Sequence, residues 1–300
     1  RTLTLGGLTV RDHPAGRTAS FGVYTTCYLR RGSDVGTSLG GWTTLPSVEG
    51  LAYSSLALRA GRCSVEAPSL NERKVVPMSD AVVEYTGEVV VGGVPAVREL
   101  TGLRMTKVAV GSYDNNAYLL ECTATGERLL IDAAADPETL LEVLGSGGVG
   151  QVLTTHFHFD HWGALRDVVE ATGAATLMHP ADTVGVPVPT DQHVRDGEEI
   201  RVGDVSLRAV HLVGHTLGSL ALVYAEPGGP HHVWTGDCLF PGGVGKTHGE
   251  PALFDALIGG VVDKLFDVYG DDTWLYPGHG RDTTLGAERP HLGEWRERGW

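Results

Sequence analysis

The sequence predicts an α/β protein folded as an αββα sandwich, in which two mixed sheets pack face to face and helices cover both outer faces. From Met78 onward, short apolar and β-branched segments alternate with helical patterns. The strands fall into two groups, and each group is followed by helices. Between residues 253 and 266 apolar side chains recur with helical spacing, which indicates a helix that packs one face on a sheet.

The first predicted elements lie before residue 172. Strands are predicted at 82–91, 103–110, 117–121, 128–132 and 149–153. The third and fourth of these form a hairpin around the turn Thr125-Gly126. A helix at 136–144 begins with Asp136 as a candidate N-cap before Pro137. A second helix is predicted at 163–171, where Leu165 and Val168 share a face.

More strands are predicted further along the chain, at 175–178, 199–202, 205–211, 220–225, 232–235 and 273–276. The helix at 253–266 precedes the last of these strands.

Charge divides the chain near Met78. Residues 1–77 carry nine Lys and Arg against five Asp and Glu, whereas the remainder has a net charge of −18 and twelve of the thirteen histidines. Ser, Thr and Gly interrupt every apolar run in the first part. We therefore hypothesise that residues 1–77 are a poorly structured extension, which could be upstream sequence fused to a natural start at Met78. The alternative is a small strand-rich appendage. Residues 78–300 are the predicted catalytic domain.

Composition excludes several classes of function. The net charge of −14 argues against nucleic acid as a partner, because phosphate binding needs an excess of Lys and Arg. No apolar run is long enough to cross a membrane, and no secretion signal is apparent. The four cysteines lie far apart, as expected for reduced thiols. We expect a soluble, cytoplasmic protein that acts on a small molecule.

The most informative motif is the run His156-Phe157-His158-Phe159-Asp160-His161 between a strand and a helix. Alternate residues of an extended segment point the same way, so His156 and His158 can converge on one metal ion. The turn into the helix then directs Asp160 and His161 to a nearby point. Imidazole and carboxylate ligands suit zinc, and also iron or manganese.

Four ligands cannot complete two metal sites, so others must come from later segments. Three glycine-flanked turns qualify, because each follows an apolar strand and carries a ligand: Gly214-His215, Gly236-Asp237 and Gly278-His279-Gly280. One such turn alone would be weak, since His and Asp are common in turns for structural reasons. Three such turns that follow the histidine-rich motif in this order are difficult to explain by turn preference alone.

Together these motifs resemble the metallo-β-lactamase superfamily, and most closely its glyoxalase II-like hydrolases, over about residues 103–280. The resemblance implies the αββα fold and two divalent metal ions, most simply zinc, with iron or manganese as alternatives. It implies a first metal on His156, His158 and His215. It implies a second on Asp160, His161 and His279, with Asp237 bridging both. Asp132 matches a strand-end aspartate that orients a ligand.

Details within the motifs separate the branches of the superfamily. Asp237 is unlike the β-lactamases, which usually have Cys or Ser there, and His158 is unlike the flavodiiron branch, which has Glu. The segment Gly243-Val244-Gly245-Lys246 resembles the loop after the bridging aspartate of glyoxalase II. Lys246 is accordingly a candidate substrate contact, with a plain solvated loop as the alternative. His248 stands where the family often has an aromatic residue.

These residues imply a hydrolase in which a metal-bridging hydroxide attacks a thioester, ester or lactone carbonyl. Asp160 and Asp237 are the candidate catalytic carboxylates. The alternative from another reaction class is a persulfide dioxygenase-like oxidoreductase with one iron on His156, His215 and Asp237. A lactonase of the same superfamily and a non-enzymatic metal-binding module are further alternatives.

Overall fold

The structure, a computed structural model, describes residues 85–299 and the backbone of four strands near the N-terminus. The chain divides into two compact units, Arg1–Lys74 and Val75–Trp300. In the first unit four antiparallel strands form one sheet in chain order. They are β1 Thr2–Leu5, β2 Leu8–His13, β3 Gly16–Phe21 and β4 Thr25–Leu29.

Both interpretations of the N-terminal part stay predictions. Most of residues 1–77 lie outside the described residues, as do residues 82–84 of the first predicted strand. The assignment of a catalytic domain to residues 78–300 stays a prediction too.

The first large sheet of the second unit has seven strands in the order β11-β10-β9-β8-β7-β6-β5. Their bounds are β5 Ala96–Leu100, β6 Leu103–Val110, β7 Asn115–Cys122, β8 Arg128–Ile131, β9 Gln151–Leu153, β10 Ala175–Met178 and β11 Gln192–His193. Neighbours from β5 to β8 pair antiparallel, and those from β8 to β11 pair parallel. The sheet is therefore mixed.

The second large sheet has six strands in the order β12-β13-β14-β15-β18-β19. Their bounds are β12 Glu199–Val202, β13 Val205–His211, β14 Leu220–Ala225, β15 His231–Gly236, β18 Trp274–Pro277 and β19 Thr283–Thr284. Only β15 and β18 pair parallel here. A small hairpin joins β16 Leu239–Phe240 to β17 Gly243–Val244.

Five α-helices are described in this unit. They are α1 Pro137–Leu144, α2 Leu165–Thr172, α3 Pro251–Val261, α4 Leu285–Glu288 and α5 Leu292–Arg298. A π-helical turn, Val262–Phe266, continues α3. None of the helices in the described part is both long and apolar enough to cross a membrane.

Three apolar clusters define the layers of the fold. The inner cluster joins the facing sides of the two sheets and contains buried side chains such as Met105, Leu120, Leu207 and Leu222. A second cluster packs the first sheet against α1 and α2, and a third packs the second sheet against α3, α4 and α5. This confirms the αββα sandwich.

Two local expectations were wrong. The described residues of the predicted strand at 82–91 form no strand, and β5 begins at Ala96 instead. Val90 and Val91 are 70% and 42% exposed, so the apolar run there does not pack on a core. Asp136 precedes α1 but makes no side-chain cap. Its carboxylate accepts a hydrogen bond from the backbone N–H of Gly111 instead.

Candidate metal centre

The candidate ligands lie where strands of both sheets end along one edge of the sandwich. His156 and the short helix Phe159–His161 follow β9. His215 lies in the loop between β13 and β14, and Asp237 directly follows β15. His279 comes two residues after β18. The alternation of strands and loops thus brings segments more than a hundred residues apart to one place.

Three histidines form the first group. The Nε2 atom of His156 lies 3.0 Å from Nδ1 of His158 and 3.2 Å from Nε2 of His215. One nitrogen of each ring faces the others within 4.8 Å, a spacing that one metal ion can bridge. The extended segment from His156 to His158 therefore turns both rings to the same side.

Asp160, His161 and His279 form the second group. His279 Nε2 lies 3.3 Å from His161 Nε2 and 3.4 Å from the Asp160 carboxylate. Asp237 lies between the two groups, with carboxylate oxygens 3.3 Å from His161 Nε2 and 3.7 Å from His215 Nε2. The structure thus brings all seven predicted ligand side chains together. Their action as metal ligands stays a proposal.

Hydrogen bonds on the far side of the rings leave the inward nitrogens free to bind a metal. His215 Nδ1 lies 2.9 Å from the carbonyl oxygen of Lys246, and His279 Nδ1 lies 2.8 Å from that of Tyr113. A carbonyl oxygen can only accept, so in each ring Nδ1 carries the proton and donates it. The inward Nε2 atoms of the neutral rings then present lone pairs.

The buried oxygen Oδ1 of Asp237 gives a second indication of a cation. It accepts no hydrogen bond within the described residues, although His161 Nε2 lies 3.3 Å away. A buried carboxylate oxygen without a donor is costly unless a cation compensates its charge. The donor set of imidazoles and carboxylates therefore fits divalent metal ions such as zinc or iron.

The electrostatics differ between the two groups. Burial lowers the pKa of His156 well below its usual value and that of His215 to about 4, which keeps both rings neutral. Burial also opposes protonation of His161, but Asp132 and Asp237 outweigh it and raise the pKa of His161 to about 10. Asp237 likewise helps to raise the pKa of His279 against the effect of burial. The negative potential that favours a proton there also favours a divalent cation.

Two glycines leave room for the ligands. A Cβ atom on Gly278 would lie 2.2 Å from Asp237 Oδ1 and 2.7 Å from Cε1 of His161. A Cβ atom on Gly245 would lie 1.8 Å from the backbone oxygen of Asp237. At both positions the absence of a side chain lets Asp237 pack closely against the backbone.

The predicted supporting and substrate-contacting residues also lie here. Asp132 Oδ2 lies 2.7 Å from His161 Nδ1, in agreement with an orienting position. The side chains of Lys246 and His248 are exposed, and the His248 ring centroid is 6.1 Å from that of His158. Contact between either side chain and a substrate stays a proposal.

Sequence reasoning did not single out several residues that contact the ligands. The Asn115 amide donates to Asp160 Oδ2 at 3.1 Å, and its nitrogen lies 3.4 Å from His279 Nε2. Asp182 and Lys107 are buried and bind the loops that carry the ligands. The sequence signal available for Lys107 was a lysine within an apolar strand, because a buried lysine needs a partner. The structure shows that Lys107 is 0% exposed.

A cavity of about 410 Å³ opens beside the second group and includes Asn115 and Asp160 in its wall. Its rim carries Tyr113 and Phe159, each 59% exposed, whose rings meet edge to face at 5.9 Å. The cavity therefore combines an aromatic side with a carboxylate of the candidate centre.

The sequence model of the metallo-beta-lactamase superfamily matches residues 110–280, more than half of the chain. The matched region contains every candidate ligand. Together with the fold and the arrangement of the centre, this match shows that the chain belongs to the metallo-beta-lactamase superfamily.

Curated relatives are similar at modest identity. An uncharacterized protein of Mycobacterium bovis is 33% identical over 201 residues, which cover 58% of this chain and 89% of that protein. The hydroxyacylglutathione hydrolase of Polaromonas sp. is 34% identical over 178 residues, covering 56% of this chain and 63% of that protein. The chain thus matches somewhat less than two thirds of the length of that hydrolase.

Solved structures show the same fold. A di-iron-bound form of TTHA1623 has a TM-score of 0.51 and 32% identity, covering 61% of this chain and 96% of that one. ETHE1 from Myxococcus xanthus has a TM-score of 0.55 and 26% identity, covering 64% of this chain and 84% of that one.

Proposed function

We propose that this protein is a dinuclear metal-dependent hydrolase that cleaves a thioester, an ester or a lactone of a small molecule. The observation that carries the proposal is the convergence of seven side chains in two groups that share Asp237. The similarity to hydroxyacylglutathione hydrolases supports a thioester as the first substrate to test.

In this proposal each group holds one metal ion, with zinc as the first candidate. His156, His158 and His215 would hold the first, and Asp160, His161 and His279 the second. Asp237 would contact both. Bound cations would supply Lewis acidity and lower the pKa of water from about 15.7 to about 7, which makes hydroxide available at neutral pH.

The chain's own residues would orient the reaction. Asp160 is partly buried, and its carboxylate can accept a hydrogen bond from the attacking water while the Asn115 amide holds it in place. With metal bound, the histidines would be neutral ligands, so the negative charge of the centre would come from the two aspartates. The cavity next to Asp160 would receive the acyl part, and Lys246 and His248 would contact the rest of the substrate.

The decisive experiment combines metal analysis with a hydrolysis panel of thioesters, including hydroxyacylglutathiones, esters, lactones and a β-lactam. We expect two metal ions per chain and turnover of at least one carbonyl substrate. The His156→Ala variant should lose metal and activity, whereas His193→Ala, which changes an exposed histidine of β11, should lose neither. Full turnover by His156→Ala would contradict the proposal.

The mononuclear alternative makes a different prediction. One iron per chain, with oxygen uptake on a persulfide and no hydrolysis, would establish the dioxygenase-like reaction instead. The seven side chains lie close together, including His158, His161 and His279, which the single-iron arrangement does not use. This favours the dinuclear hydrolase.

The acidic composition supports an enzyme of the cytoplasm that does not bind nucleic acid. Fractionation of the source cells tests the location. Gel-shift assays with DNA and RNA test the absence of nucleic-acid binding, and a shift at physiological salt would contradict it.

A further inference from the structure

The loops that carry the first group of ligands are joined by one buried carboxylate. Asp182 is 1% exposed and lies in the turn after β10. Its Oδ2 atom accepts the backbone N–H of Phe157 at 3.1 Å and the hydroxyl of Thr216 at 2.6 Å. Phe157 lies between His156 and His158, and Thr216 follows His215.

Hydrogen bonds and close packing hold Asp182 at this position. A Cβ atom on Gly218 would lie 2.7 Å from Asp182 Oδ1, so the loop after His215 wraps tightly around the carboxylate. Oδ1 is buried and has no hydrogen-bond partner within the described residues. Burying an unpaired carboxylate oxygen costs free energy, so apolar packing alone does not account for an aspartate at this position.

The loop that carries His279 is held by a different buried group. Lys107 is 0% exposed, and its Nζ donates to the carbonyl oxygen of Gly280 at 2.9 Å. The same Nζ donates to Asp282 Oδ1 at 2.6 Å, and the hydroxyl of Tyr85 donates to Oδ2 of that carboxylate. Lys107 thus fixes the backbone directly after His279.

We propose that Asp182 and Lys107 are positioning residues for separate halves of the metal pair. Asp182 sets the spacing of the three histidines of the first group, and Lys107 sets the place of His279 in the second. The inference rests on the proposed dinuclear centre. It adds that the two metal affinities depend on separate supports and can be weakened one at a time.

The test is a Zn²⁺ titration of the full chain in a chelator-buffered series, read as metal ions bound per chain and as two dissociation constants. Asp182→Ala should lower the affinity for one zinc about 10- to 100-fold, as is typical when the partner that orients a ligand is lost. The other dissociation constant should stay unchanged. Asp182→Asn keeps an acceptor oxygen for Phe157 and Thr216, and it should restore most of the affinity.

Ligand variants identify the zinc that is lost. His158 belongs only to the first group and His279 only to the second. Asp182→Ala and His158→Ala weaken the same site, so the double variant should bind zinc little more weakly than His158→Ala alone. Asp182→Ala and His279→Ala weaken different sites, so their losses of zinc affinity should add. The double variant Lys107→Met/Asp282→Asn removes both buried charges, so that neither is left unpaired. It should lower zinc affinity little further in His279→Ala and should add its full loss in His158→Ala.

A matched control separates positioning from general destabilisation. Glu288 is 6% exposed, and its carboxylate also accepts one backbone N–H, from Gly242, and one threonine hydroxyl, from Thr283. Glu288→Ala should lower the melting temperature of the metal-free protein and leave both zinc affinities at the wild-type values. If Asp182→Ala binds both zinc ions normally, or loses both in proportion to its melting temperature, the inference is wrong.

The same titration distinguishes this inference from the proposed hydrolysis. A wild-type chain that binds two zinc ions but hydrolyses nothing refutes the hydrolase and leaves the positioning result standing. A wild-type chain that hydrolyses substrate, together with unchanged zinc binding in Asp182→Ala, refutes only the inference. Binding of a single zinc by the wild type overturns both.

Discussion

Asp132 and His161 form a buried pair in which Oδ2 of the aspartate lies 2.7 Å from Nδ1 of the imidazole. The same carboxylate accepts the backbone N–H and the hydroxyl of Thr155, the residue before His156. Asp132 has a φ of 58°, in the left-handed region that costs energy for a residue with a side chain. One strained aspartate therefore supports ligands of both groups.

Asp132→Asn should lower the affinity for metal about 10- to 100-fold, because an amide cannot match the charge and acceptor strength that orient His161. Isothermal titration with Zn²⁺ measures this. Asp191 is the control. It is exposed, and one of its oxygens accepts both the backbone N–H and the hydroxyl of Thr176. An equal loss in Asp191→Asn would show a general effect on folding.

Gly278→Ala should abolish metal binding and activity. The added methyl group would stand 2.2 Å from Asp237 Oδ1, and it can be accommodated only if the shared aspartate or His161 moves. Metal content and turnover of the best substrate provide the measurement. Retention of two metal ions at full affinity would show that the loop accommodates the methyl group without displacing Asp237 or His161.

Gly259→Ala provides the control for that glycine. Gly259 lies within α3, and a Cβ atom there would have no neighbour within 4 Å. The substitution should stabilise the protein by up to about 1 kcal/mol through helix propensity and leave metal binding unchanged. Urea unfolding and metal analysis of both variants make the comparison.

His232 should make the fold sensitive to acid. Its ring is fully buried, with Nε2 3.0 Å from Glu226 and Nδ1 2.7 Å from the Tyr276 hydroxyl, and burial lowers its pKa below 6.5. Below pH 6.5 the unfolded chain binds this proton more readily than the folded one. Stability is therefore lost as the pH falls from 6.5 towards the lowered folded value, by at most about 1.4 kcal/mol per pH unit.

Urea unfolding at pH 7.5 and 5.5 measures this effect. His232→Gln cannot take up the proton, so its stability should fall less over that interval than that of the wild type. Titrating groups that do not contact His232 are the same in both proteins and cancel, whereas Glu226 loses its partner in the variant. Equal pH dependence in the two would assign the acid sensitivity to other groups.

Removal of metal by a chelator should abolish hydrolysis and lower stability together. Free Zn²⁺ at one hundred times its dissociation constant should restore activity and add about 2.7 kcal/mol to the free energy of unfolding for each site. Paired melting and activity curves test this. Activity that survives exhaustive chelation would contradict the hydrolase proposal.

The sequence predicted the layers of the fold because each layer has a local signature. Strands such as β6 and helices such as α3 repeat their apolar residues with a fixed period, and the period reports the face that is buried. The run at 82–91 misled because apolar composition alone does not determine burial. A strand also needs partners to pair and pack with, and Val90 is 70% exposed.

The candidate ligand motif could also be predicted from a local pattern in the sequence. His156, His158, Asp160 and His161 lie within six residues, so backbone geometry alone brings them close. The sequence by itself thus indicated a metal centre and the side chains that could form it.

Only the tertiary structure decided how those side chains are held. Asn115 meets His279 across 164 residues of sequence, and Asp182 meets Thr216 across 34. Lys107 reaches the loop of the opposite sheet through a contact 173 residues away in the chain. No periodicity or spacing records such pairs, because they arise from the packing of two sheets and not from the backbone of one segment. The sequence named the candidate ligands, and the packing of the sandwich determined the residues that hold them in place.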